Sequence, residues 1–475
     1  MVFSSSLFLL YFFPLFLIIY YLADVKYKNN IALFASILFF SWGAPLFIFV
    51  VLGSILIDYY VVQKIYDATG KKRKIYLLVS VVLNLGLLAY FKYSNFFVEN
   101  INNLVATWGA NGICGWTKIA LPIGISFFTF KKLSYCIDVY RNTHKPFTKI
   151  TDYGLFILLF PELIAGPIVR FNEIADQIVD RKDQETIDNK LLGLFRFVIG
   201  LSKKVLIANV LGAEVDKLFA LDPNTLNTPI AWLGIVAYTF QIYFDFSGYS
   251  DMAIGIAKMI GFKFPENFDN PYTAQSITEF WRRWHITLGR WMRDYLYIPL
   301  GGNKVKSKAR LYFNLGLVFF LSGLWHGASW NFVTWGCFHG LFLIADRVFL
   351  LSIYEKIGRV LSTIITFIIV MVGWVFFKTE TLTQAVSYIR KMFSFDFSTY
   401  HIHFELNFWT MLILAFVFSF AGGFSRIQKI QSAVLFEEYS LRRVLTTSVV
   451  CVILFILCEA AITSSGFNPF IYYRF

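Results

Sequence analysis

Residues 311–351 read LYFNLGLVFFLSGLWHGASWNFVTWGCFHGLFLIADRVFLL, two apolar runs separated by a short polar interruption. The runs, 311–325 and 330–351, approach or reach the roughly 20 apolar residues that cross the hydrocarbon core of a bilayer. Inside lipid every backbone N–H and C=O must be paired within the protein, and a helix does this within one segment. This stretch therefore predicts an all-α membrane protein.

The rest of the chain has the same character. Of its 475 residues, 57% are hydrophobic, 19% aromatic and only 15% charged, and the mean hydropathy is +0.60. This is more apolar surface than a soluble core buries, so lipid must be part of the solvent. The net charge of +13 comes from bases that cluster at the ends of apolar runs. That pattern indicates membrane topology and contact with lipid phosphates, and no nucleic-acid partner is expected.

Apolar runs recur along the chain. The first, 7–22, has no positive charge before it and no small-residue cleavage site after it, so a retained span is expected, not a signal peptide. The others lie at 31–44, 46–62, 75–91, 119–139, 152–168, 191–213, 229–256, 311–325, 330–351, 359–377, 407–423 and 444–463. Since some are short, tilted or re-entrant, about ten or eleven crossings are expected. No internal repeat is evident, and the polar linkers 172–190 and 425–441 indicate interfacial helices or surface loops, so residues 1–475 are expected to form a single membrane domain.

Basic residues predict the orientation. The loop 24–30 contains Lys26 and Lys28, the next two runs turn at Gly43-Ala44-Pro45, and the loop 64–74 ends in Lys71, Lys72, Arg73 and Lys74. Positive loops lie on the cytoplasmic side. Both loops are therefore expected in the cytoplasm and the N-terminus outside.

The run 152–168 differs from an ordinary span because it contains Pro161, Glu162, Gly166 and Pro167. These residues would leave backbone groups unpaired in lipid, which favours a re-entrant segment buried in protein. Glu162 is expected to be a structural hydrogen-bonding residue there and not a general acid.

Cysteine chemistry is not expected. The five cysteines show no CxxC pair and no neighbouring histidine at zinc-finger spacing: Cys114, Cys136, Cys337, Cys451 and Cys458. Neither a disulfide framework nor a metal site follows from them.

A basic aromatic segment precedes the opening stretch. Residues 276–304 read SITEFWRRWHITLGRWMRDYLYIPLGGNK, where Ser276 and Glu279 have capping-box spacing and Pro299 would end a helix. On one continuous helix, His285 lies about 200° from Arg283, because successive residues turn by about 100°. His285 is thus expected to face the protein interior, opposite an arginine stripe.

The arginine stripe consists of Arg283, Arg290 and Arg293. One interpretation is an interfacial helix whose arginines contact lipid phosphates and whose tryptophans anchor it at the headgroups. Those tryptophans are Trp281, Trp284 and Trp291. The alternative is that one or more arginines bind an anionic cofactor or carrier phosphate.

His326 lies between apolar runs, where an ionisable residue is costly and suggests a function. A lone histidine on an apolar helix is more often a packing residue, but Gly323 and Gly327 flank it and would allow close approach of backbone or substrate. His339 is 13 residues further on, a rotation of about 220° on one straight helix. It is expected to be structural, since both histidines share a site only if the helix breaks, for example near Ser329.

Histidine suits acyl transfer because imidazole can take the proton of a hydroxyl group as its oxygen attacks a thioester or ester carbonyl. A second polar group should orient the base or stabilise the developing charge, and His285 is the candidate. A serine hydrolase needs a G-x-S-x-G turn. The DFSGYSD block around Ser247 lacks the first glycine of that turn.

Several long blocks, in order along essentially the whole chain, resemble the membrane-bound O-acyltransferase superfamily, and within it most the membrane subunit of alginate O-acetyltransferases. The blocks are PELIAGPIVRF (161–171), YFDFSGYSDMAIGIAKMIGFKFPENFDNPY (243–272), FWRRWHITLGRWMRDYLYIPLGGNK (280–304), LSGLWHGASWNFVTWGCFHG (321–340) and NPFIYYRF (468–475). The resemblance departs at Lys131, where relatives often have glutamine.

The resemblance implies a ring of helices around a central tunnel in the bacterial inner membrane. It implies His326 as the catalytic histidine and His285 as the second one. It also implies a cytoplasmic acyl donor, acetyl-CoA or another acyl thioester, with no bound cofactor. The acceptor would lie on the outer side, on an exported polysaccharide, on peptidoglycan or on a periplasmic SGNH-type partner.

Asp245 and Asp251 in the DFSGYSD block have two interpretations. They either line a polar passage or cross-link helices through hydrogen bonds, and the second is favoured. Three functions stay open: an O-acetyltransferase, the D-alanyl transferase of teichoic acids, and a transporter of a lipid-linked sugar. The block WMRDYLYIPLGGNK favours the first, and no paired half-spans or repeats support the third.

Overall fold

The computed structural model describes residues 1–109, 116–399, 402–435, 440–464 and 466. These residues form helices and connecting segments, and the β-structure among them is an isolated antiparallel bridge between Phe268 and Trp284. The all-α prediction is confirmed. Cys114 and the C-terminal block 468–475 lie outside the described residues.

Ten α-helices lie among the described residues of the first half of the chain. They are α1 (Phe13–Leu22), α2 (Val25–Gly43), α3 (Phe47–Asp67), α4 (Gly70–Leu88), α5 (Ser94–Ala106), α6 (Ile125–Tyr140), α7 (Ile150–Leu158), α8 (Phe171–Val179), α9 (Ile187–Ser202) and α10 (Asn209–Ala220). Three π-helical segments adjoin them, at Leu7–Phe12, Ala89–Tyr93 and Lys203–Ala208. The turn predicted at Gly43-Ala44-Pro45 lies between α2 and α3.

Ten more α-helices follow among the described residues. They are α11 (Thr228–Met259), α12 (Ile277–Arg283), α13 (Ile286–Met292), α14 (Lys308–His326), α15 (Trp330–Ala345), α16 (Leu351–Lys378), α17 (Leu382–Met392), α18 (Leu406–Ala421), α19 (Ser425–Leu435) and α20 (Leu441–Ser464). The polar linkers predicted as interfacial helices or loops correspond to α8 with the start of α9, and to α19.

Four helical segments of the described chain are long and apolar enough to cross a membrane: Phe47–Asp67, Gly70–Ala106, Trp330–Lys378 and Leu441–Ser464. The pair α18 and α19, bent by 96°, makes a fifth if it counts as one span. The other predicted spans correspond to helices that are shorter, interrupted or less hydrophobic than these four. The number of ten or eleven crossings therefore stays a prediction, while the multi-pass membrane fold is shown.

The segment 152–168 is interrupted where its prolines predict. Helix α7 ends at Leu158, a 3₁₀ turn covers Phe160–Glu162, and the residues that follow are buried without regular structure. The Nζ of Lys131 in α6 lies 2.6 Å from Oε1 of Glu162, and both side chains are buried. A buried charge is tolerated when it is paired in this way. Glu162 thus links α6 to the interrupted segment, in agreement with its expected structural role.

Two buried aspartates connect α11 to the helices beside it. Asp251 pairs with Arg196 of α9 at 2.9 Å and with Lys203 at 2.6 Å. Asp245 pairs with Lys204 at 2.7 Å. The structure therefore supports helix cross-linking for both aspartates, through ion pairs.

Candidate active site

The segment 276–299 is not the single helix that its sequence predicts. Ser276 accepts the Glu279 backbone N–H as predicted, but α12 ends at Arg283 and α13 begins at Ile286. Between them His285 has the left-handed backbone conformation, with φ 46° and ψ 52°. The rotation calculated for His285 along one helix is therefore wrong, although the side chain is buried, as expected.

Tertiary contacts stabilise this break. The preceding strand-like segment 267–269 runs antiparallel to the break, because the Ile286 N–H donates to the Asn267 carbonyl and the Asp269 N–H to the Arg283 carbonyl. These bonds satisfy backbone groups that a continuous helix would pair internally. The connection between α12 and α13 is therefore paired with another part of the chain.

The predicted headgroup anchoring by tryptophans is also wrong for two of the three. Trp284 and Trp291 are buried in protein. The Trp291 indole stacks on Phe130 with ring centroids 3.7 Å apart and donates to the Phe130 carbonyl, while Trp284 packs against Trp374. Because the helix breaks at His285, these side chains turn into the core and do not form one lipid-facing stripe.

The imidazole ring of His285 has one hydrogen-bonding contact among the described residues. Its Nδ1 lies 3.0 Å from Oδ1 of Asn267, and the ring packs edge to face on Phe246. Its Nε2 is buried and has no hydrogen-bond partner in the described part of the chain. One ring nitrogen is therefore held, and the other is left for a ligand.

His326 is the last residue of α14. The chain then leaves the helix through Gly327 and re-enters helix at Trp330, so the break considered near Ser329 is present. The neighbouring glycines allow close packing, as predicted: a Cβ on Gly323 would lie 2.3 Å from the Phe332 carbonyl oxygen, and one on Gly327 would collide with the Phe332 ring. Helix α15 therefore packs directly against the turn that carries His326.

Lys92 holds the end of α14. Its buried ammonium donates to the carbonyl oxygens of Trp325 and His326 and to the hydroxyl of Ser126. The last carbonyls of a helix have no partner within the helix, and a cation there also interacts favourably with the helix dipole. Lys92 thus stabilises the backbone from which His326 projects.

Aromatic rings connect the three central histidines. The Trp325 ring contacts both His285 and His326, with centroid distances of 6.1 and 5.0 Å. The Trp335 ring contacts His326 at 5.0 Å and His339 at 5.1 Å. The structure therefore brings His285 and His326 to one indole, while His339 is a further ring away.

A cavity of about 480 Å³ opens beside His285, here called the arginine cavity. Its buried wall includes His285, Leu288 and Ser322, and its exposed lining includes four arginines, Arg282, Arg290, Arg293 and Arg347. Arg283, which the continuous helix placed in the stripe, instead pairs with Glu279 at 2.7 Å outside this lining. The break at His285 thus replaces Arg283 by Arg282 in the basic cluster.

Asp294 anchors the arginine cavity to neighbouring helices. It pairs with Arg293 and Arg170, and its backbone carbonyl accepts from Arg141 at the end of α6. Burial raises the pKa of Asp294, but the hydrogen bond and charge of Arg293 and the charge of Arg170 outweigh it and hold the pKa below its ordinary value. The carboxylate therefore stays charged at neutral pH and keeps Arg293 in place.

The arginine cavity opens at the end of the molecule where α4 begins. Arg73, in the first turn of α4, donates to the backbone carbonyl of Tyr140, next to Arg141, which contacts Asp294. Arg73 belongs to the basic loop that the sequence predicts to be cytoplasmic. The arginine cavity and this loop thus share one side.

A second cavity of about 640 Å³ lies toward the other end, here called the far cavity. It is lined by Lys92, Asn95 and Glu99 near the end of the span Gly70–Ala106, and by Gly327 and Gln241. Helix α14 lines the arginine cavity with Leu315, Val318 and Ser322 and reaches the far cavity at its C-terminal end. His326 thus lies between two cavities, and a continuous tunnel stays a prediction.

Three contributors to the site were not singled out from the sequence. Lys92 follows the run 75–91 and resembles a lysine at the end of a span, Arg347 lies near the end of the run 330–351, and Asn267 is one polar residue within the block 243–272. For the first two, the only local signal was a charged residue just after an apolar run or near its end. Nothing local distinguishes Asn267, because its importance comes from a contact with a segment 18 residues away.

The chain matches known acyltransferases over most of its length. The model of the membrane-bound O-acyltransferase family matches residues 65–420. The chain is 45% identical to the probable alginate O-acetylase of Pseudomonas aeruginosa, covering 83% of this chain and 75% of that protein. It is 36% identical to the peptidoglycan O-acetyltransferase of Helicobacter pylori, covering 82% and 80%.

A third relative is more distant. The teichoic acid D-alanyltransferase of Streptococcus thermophilus is 30% identical to this chain over 48% of it and 57% of that protein. These relatives carry names of acyl-transferring enzymes, which favours an enzyme over a transporter. The chain belongs to the membrane-bound O-acyltransferase family and is a multi-pass membrane acyltransferase.

Proposed function

We propose that this acyltransferase moves an acetyl group from a cytoplasmic thioester, such as acetyl-CoA, to a hydroxyl group outside the bacterial inner membrane. The acceptor is an exported polysaccharide or peptidoglycan, reached directly or through a periplasmic SGNH-type partner. One observation carries the proposal: two histidines contact one indole ring, one of them lining a cavity rich in arginine and the other ending α14 next to Gly327, which lines a second cavity. Names of the relatives from P. aeruginosa and H. pylori support acetyl transfer to cell-surface polymers.

The arginine cavity suits the donor. Guanidinium groups bind phosphate oxygens in bidentate geometry, and coenzyme A carries several phosphates. Four arginines supply these groups at the exposed part of the cavity, while its buried wall reaches His285. A donor with its phosphates on the arginines would extend its thioester toward the histidines.

The far cavity suits a hydroxylated acceptor. Its lining combines amides and charged groups with the open backbone at Gly327, which can exchange hydrogen bonds with sugar hydroxyls. In the proposed reaction the acceptor oxygen attacks the thioester carbonyl and its proton passes to His326. The C–S bond then breaks, and the thiolate leaves and takes up the proton, so that an ester and a free thiol form.

The proposed acetyl transfer is tested by identifying the acyl group that the protein attaches to the polymer. Membranes containing the protein, its periplasmic partner and acetyl-CoA labelled in the acetyl group should transfer label to the polymer as an alkali-labile ester. The alternative, D-alanyl transfer, uses the same chemistry and is favoured by the S. thermophilus relative. Release of alanine in place of acetate on mild alkali treatment would replace the proposal by that alternative.

The arginine cavity yields a prediction about the donor. The double variant Arg290→Ala and Arg347→Ala should raise the KM for acetyl-CoA by about 10-fold, because two charge-assisted phosphate contacts are lost, and should change kcat less. The matched control is Arg283→Ala, whose partner is Glu279. A minimal thioester without phosphates, the acetyl thioester of N-acetylcysteamine, should react equally with wild type and the double variant. Equal KM values for acetyl-CoA would show that these arginines serve another purpose, such as contact with lipid.

The cytoplasmic position of the donor depends on the predicted orientation. In a cysteine-free background, Lys72→Cys should not react with a membrane-impermeant maleimide in intact cells and should react after permeabilisation, because basic loops lie in the cytoplasm. Thr107→Cys, just beyond the other end of the span Gly70–Ala106, is the matched control and should react in intact cells. Strong labelling at position 72 together with protection at position 107 would invert the orientation.

A further inference from the structure

The amide of Asn267 is the point at which three parts of the candidate site meet. Its Oδ1 lies 3.0 Å from His285 Nδ1 and accepts from the Thr287 hydroxyl at 2.8 Å and the Thr287 backbone N–H at 3.3 Å. Its Nδ2 donates to the Ser250 hydroxyl of α11 at 3.1 Å. Asn267 is 1% exposed, so water does not compete for these contacts.

The contacts determine which way the amide faces. A backbone N–H can only donate, so the atom of Asn267 nearest the Thr287 N–H must be the oxygen. The Thr287 hydroxyl accepts the Ile168 N–H at 2.9 Å, which leaves its own proton for the same oxygen. In the reversed orientation the amide NH₂ would face a donor at Thr287. The oxygen of Asn267 therefore faces His285.

An amide oxygen only accepts, so His285 must donate to it through Nδ1. A neutral imidazole carries one proton, and with that proton on Nδ1 the lone pair is on Nε2. Nε2 is the nitrogen without a partner among the described residues, and the ring lines the arginine cavity. The tautomer of His285 thus follows from the position of one asparagine.

The backbone of Asn267 adds a second constraint. Its carbonyl accepts the Ile286 N–H, one residue after His285, whose left-handed φ of 46° is uncommon for a residue other than glycine. The same residue therefore holds both the main chain around His285 and the ring. Rotation of the His285 ring would break the hydrogen bond between Nδ1 and Asn267 Oδ1. The ring is therefore held in its orientation before substrate binds.

We propose that Asn267 is a positioning residue that holds His285 in the tautomer with its lone pair on Nε2, so that His285 accepts a hydrogen bond from a hydroxyl group of the acceptor next to the reacting one. This rests on the proposed function, because it assigns a task to His285 in acyl transfer. In this arrangement His285 holds the acceptor through the neighbouring hydroxyl group, while the reacting oxygen attacks the thioester carbonyl and its own proton passes to His326. Because the only proton of the neutral ring is on Nδ1, Nε2 of His285 can accept a hydrogen bond but cannot donate one.

Kinetics of three variants test the proposal. Asn267→Leu has a similar size without the acceptor oxygen and should lower kcat by about 10- to 100-fold, the usual effect of removing a group that orients a functional histidine, with little change in the donor KM. Asn267→Asp keeps an acceptor for Nδ1, and the Ser250 hydroxyl can turn to donate to it, so turnover should be largely restored. Asn84→Leu is the matched control, a buried asparagine bonded to Asp58 and Ser80, and should retain wild-type kcat per folded protein.

A spectroscopic measurement tests the tautomer independently of activity. In protein labelled with ¹⁵N-histidine, with the signals of His285 assigned by loss in His285→Gln, Nε2 should show the shift of an unprotonated nitrogen and Nδ1 that of a protonated one. Asn267→Leu should produce a mixture of both tautomers. If the protein proves inactive with acetyl donors, the proposed function fails while this result stands. A protonated Nε2 in wild type, or wild-type kcat in folded Asn267→Leu, would overturn the role of Asn267.

Discussion

The variant His326→Ala is expected to lose acyl transfer to the cell-surface polymer while the protein stays in the membrane at its normal level. A general base contributes about 10²- to 10⁴-fold to a rate, so the remaining esterification should fall below detection in cells. The structure gives a reason to expect normal folding. His326 is the last residue of α14, and Lys92 donates to its backbone carbonyl, which an alanine keeps.

Two further variants make this result specific. His326→Gln keeps a hydrogen-bonding side chain without a base near neutral pH, and it should be as inactive as His326→Ala. His339→Ala is the matched control, because His339 is a buried histidine that packs on the same Trp335 ring. Like His326→Ala it removes one buried ring, but it should leave turnover per folded protein close to that of wild type. Retained polymer acetylation in His326→Ala would assign that histidine to packing.

Local signals predicted much of the fold. The turn at Gly43-Ala44-Pro45 and the interruption at Pro161 follow from residues that disfavour helix, and the break near Ser329 is present between α14 and α15. Apolar runs marked where helices occur, because hydropathy and backbone pairing in lipid act residue by residue. The ends of the helices agree less well with the ends of the runs. In the run 119–139, for example, the helix begins only at Ile125.

The candidate site was less predictable because its geometry depends on distant contacts. The sequence 276–299 has helical propensity and a capped start, and only pairing with the segment 267–269 shows that it breaks. That break moved Arg283 out of the basic cluster and turned Trp291 into the core. The histidine pair itself was found from residue type and depth, since an ionisable group within apolar sequence has a physical cost wherever the neighbouring helices lie.

The structure explains the lysine at position 131, where the sequence departs from the family that it resembles. The resemblance drawn from the sequence departs at this position, where it would lead us to expect glutamine. The Lys131 ammonium forms a buried ion pair with Glu162. The pair lies between α6 and the interrupted segment after α7, so in this chain the lysine contributes to helix packing. Its presence gives no information about the acceptor.

The division of labour between His285 and His326 provides the last expected result. His285→Ala should retain a small residual rate, because positioning of a hydroxyl group and proton removal make separable contributions, and loss of one contribution costs about 10²- to 10⁴-fold. The structure supports separate tasks. His285 is held at Nδ1 by Asn267 and lines the arginine cavity, whereas His326 ends α14 beside Gly327, which lines the far cavity.

The double variant His285→Ala and His326→Ala distinguishes one catalytic unit from two independent effects. Groups that act together are non-additive, so the double variant should be no slower than His326→Ala alone. Once the base is absent, a well-positioned hydroxyl keeps its proton and gains little from its position.

Rates would be measured with purified protein, labelled acetyl-CoA and an acceptor or partner protein, each variant corrected for folded enzyme. If both single variants were measurably active and their losses multiplied in the double variant, the two histidines would contribute independently. Wild-type turnover in His285→Ala would instead leave the contact with Asn267 as an element of packing and His326 without a partner in the reaction.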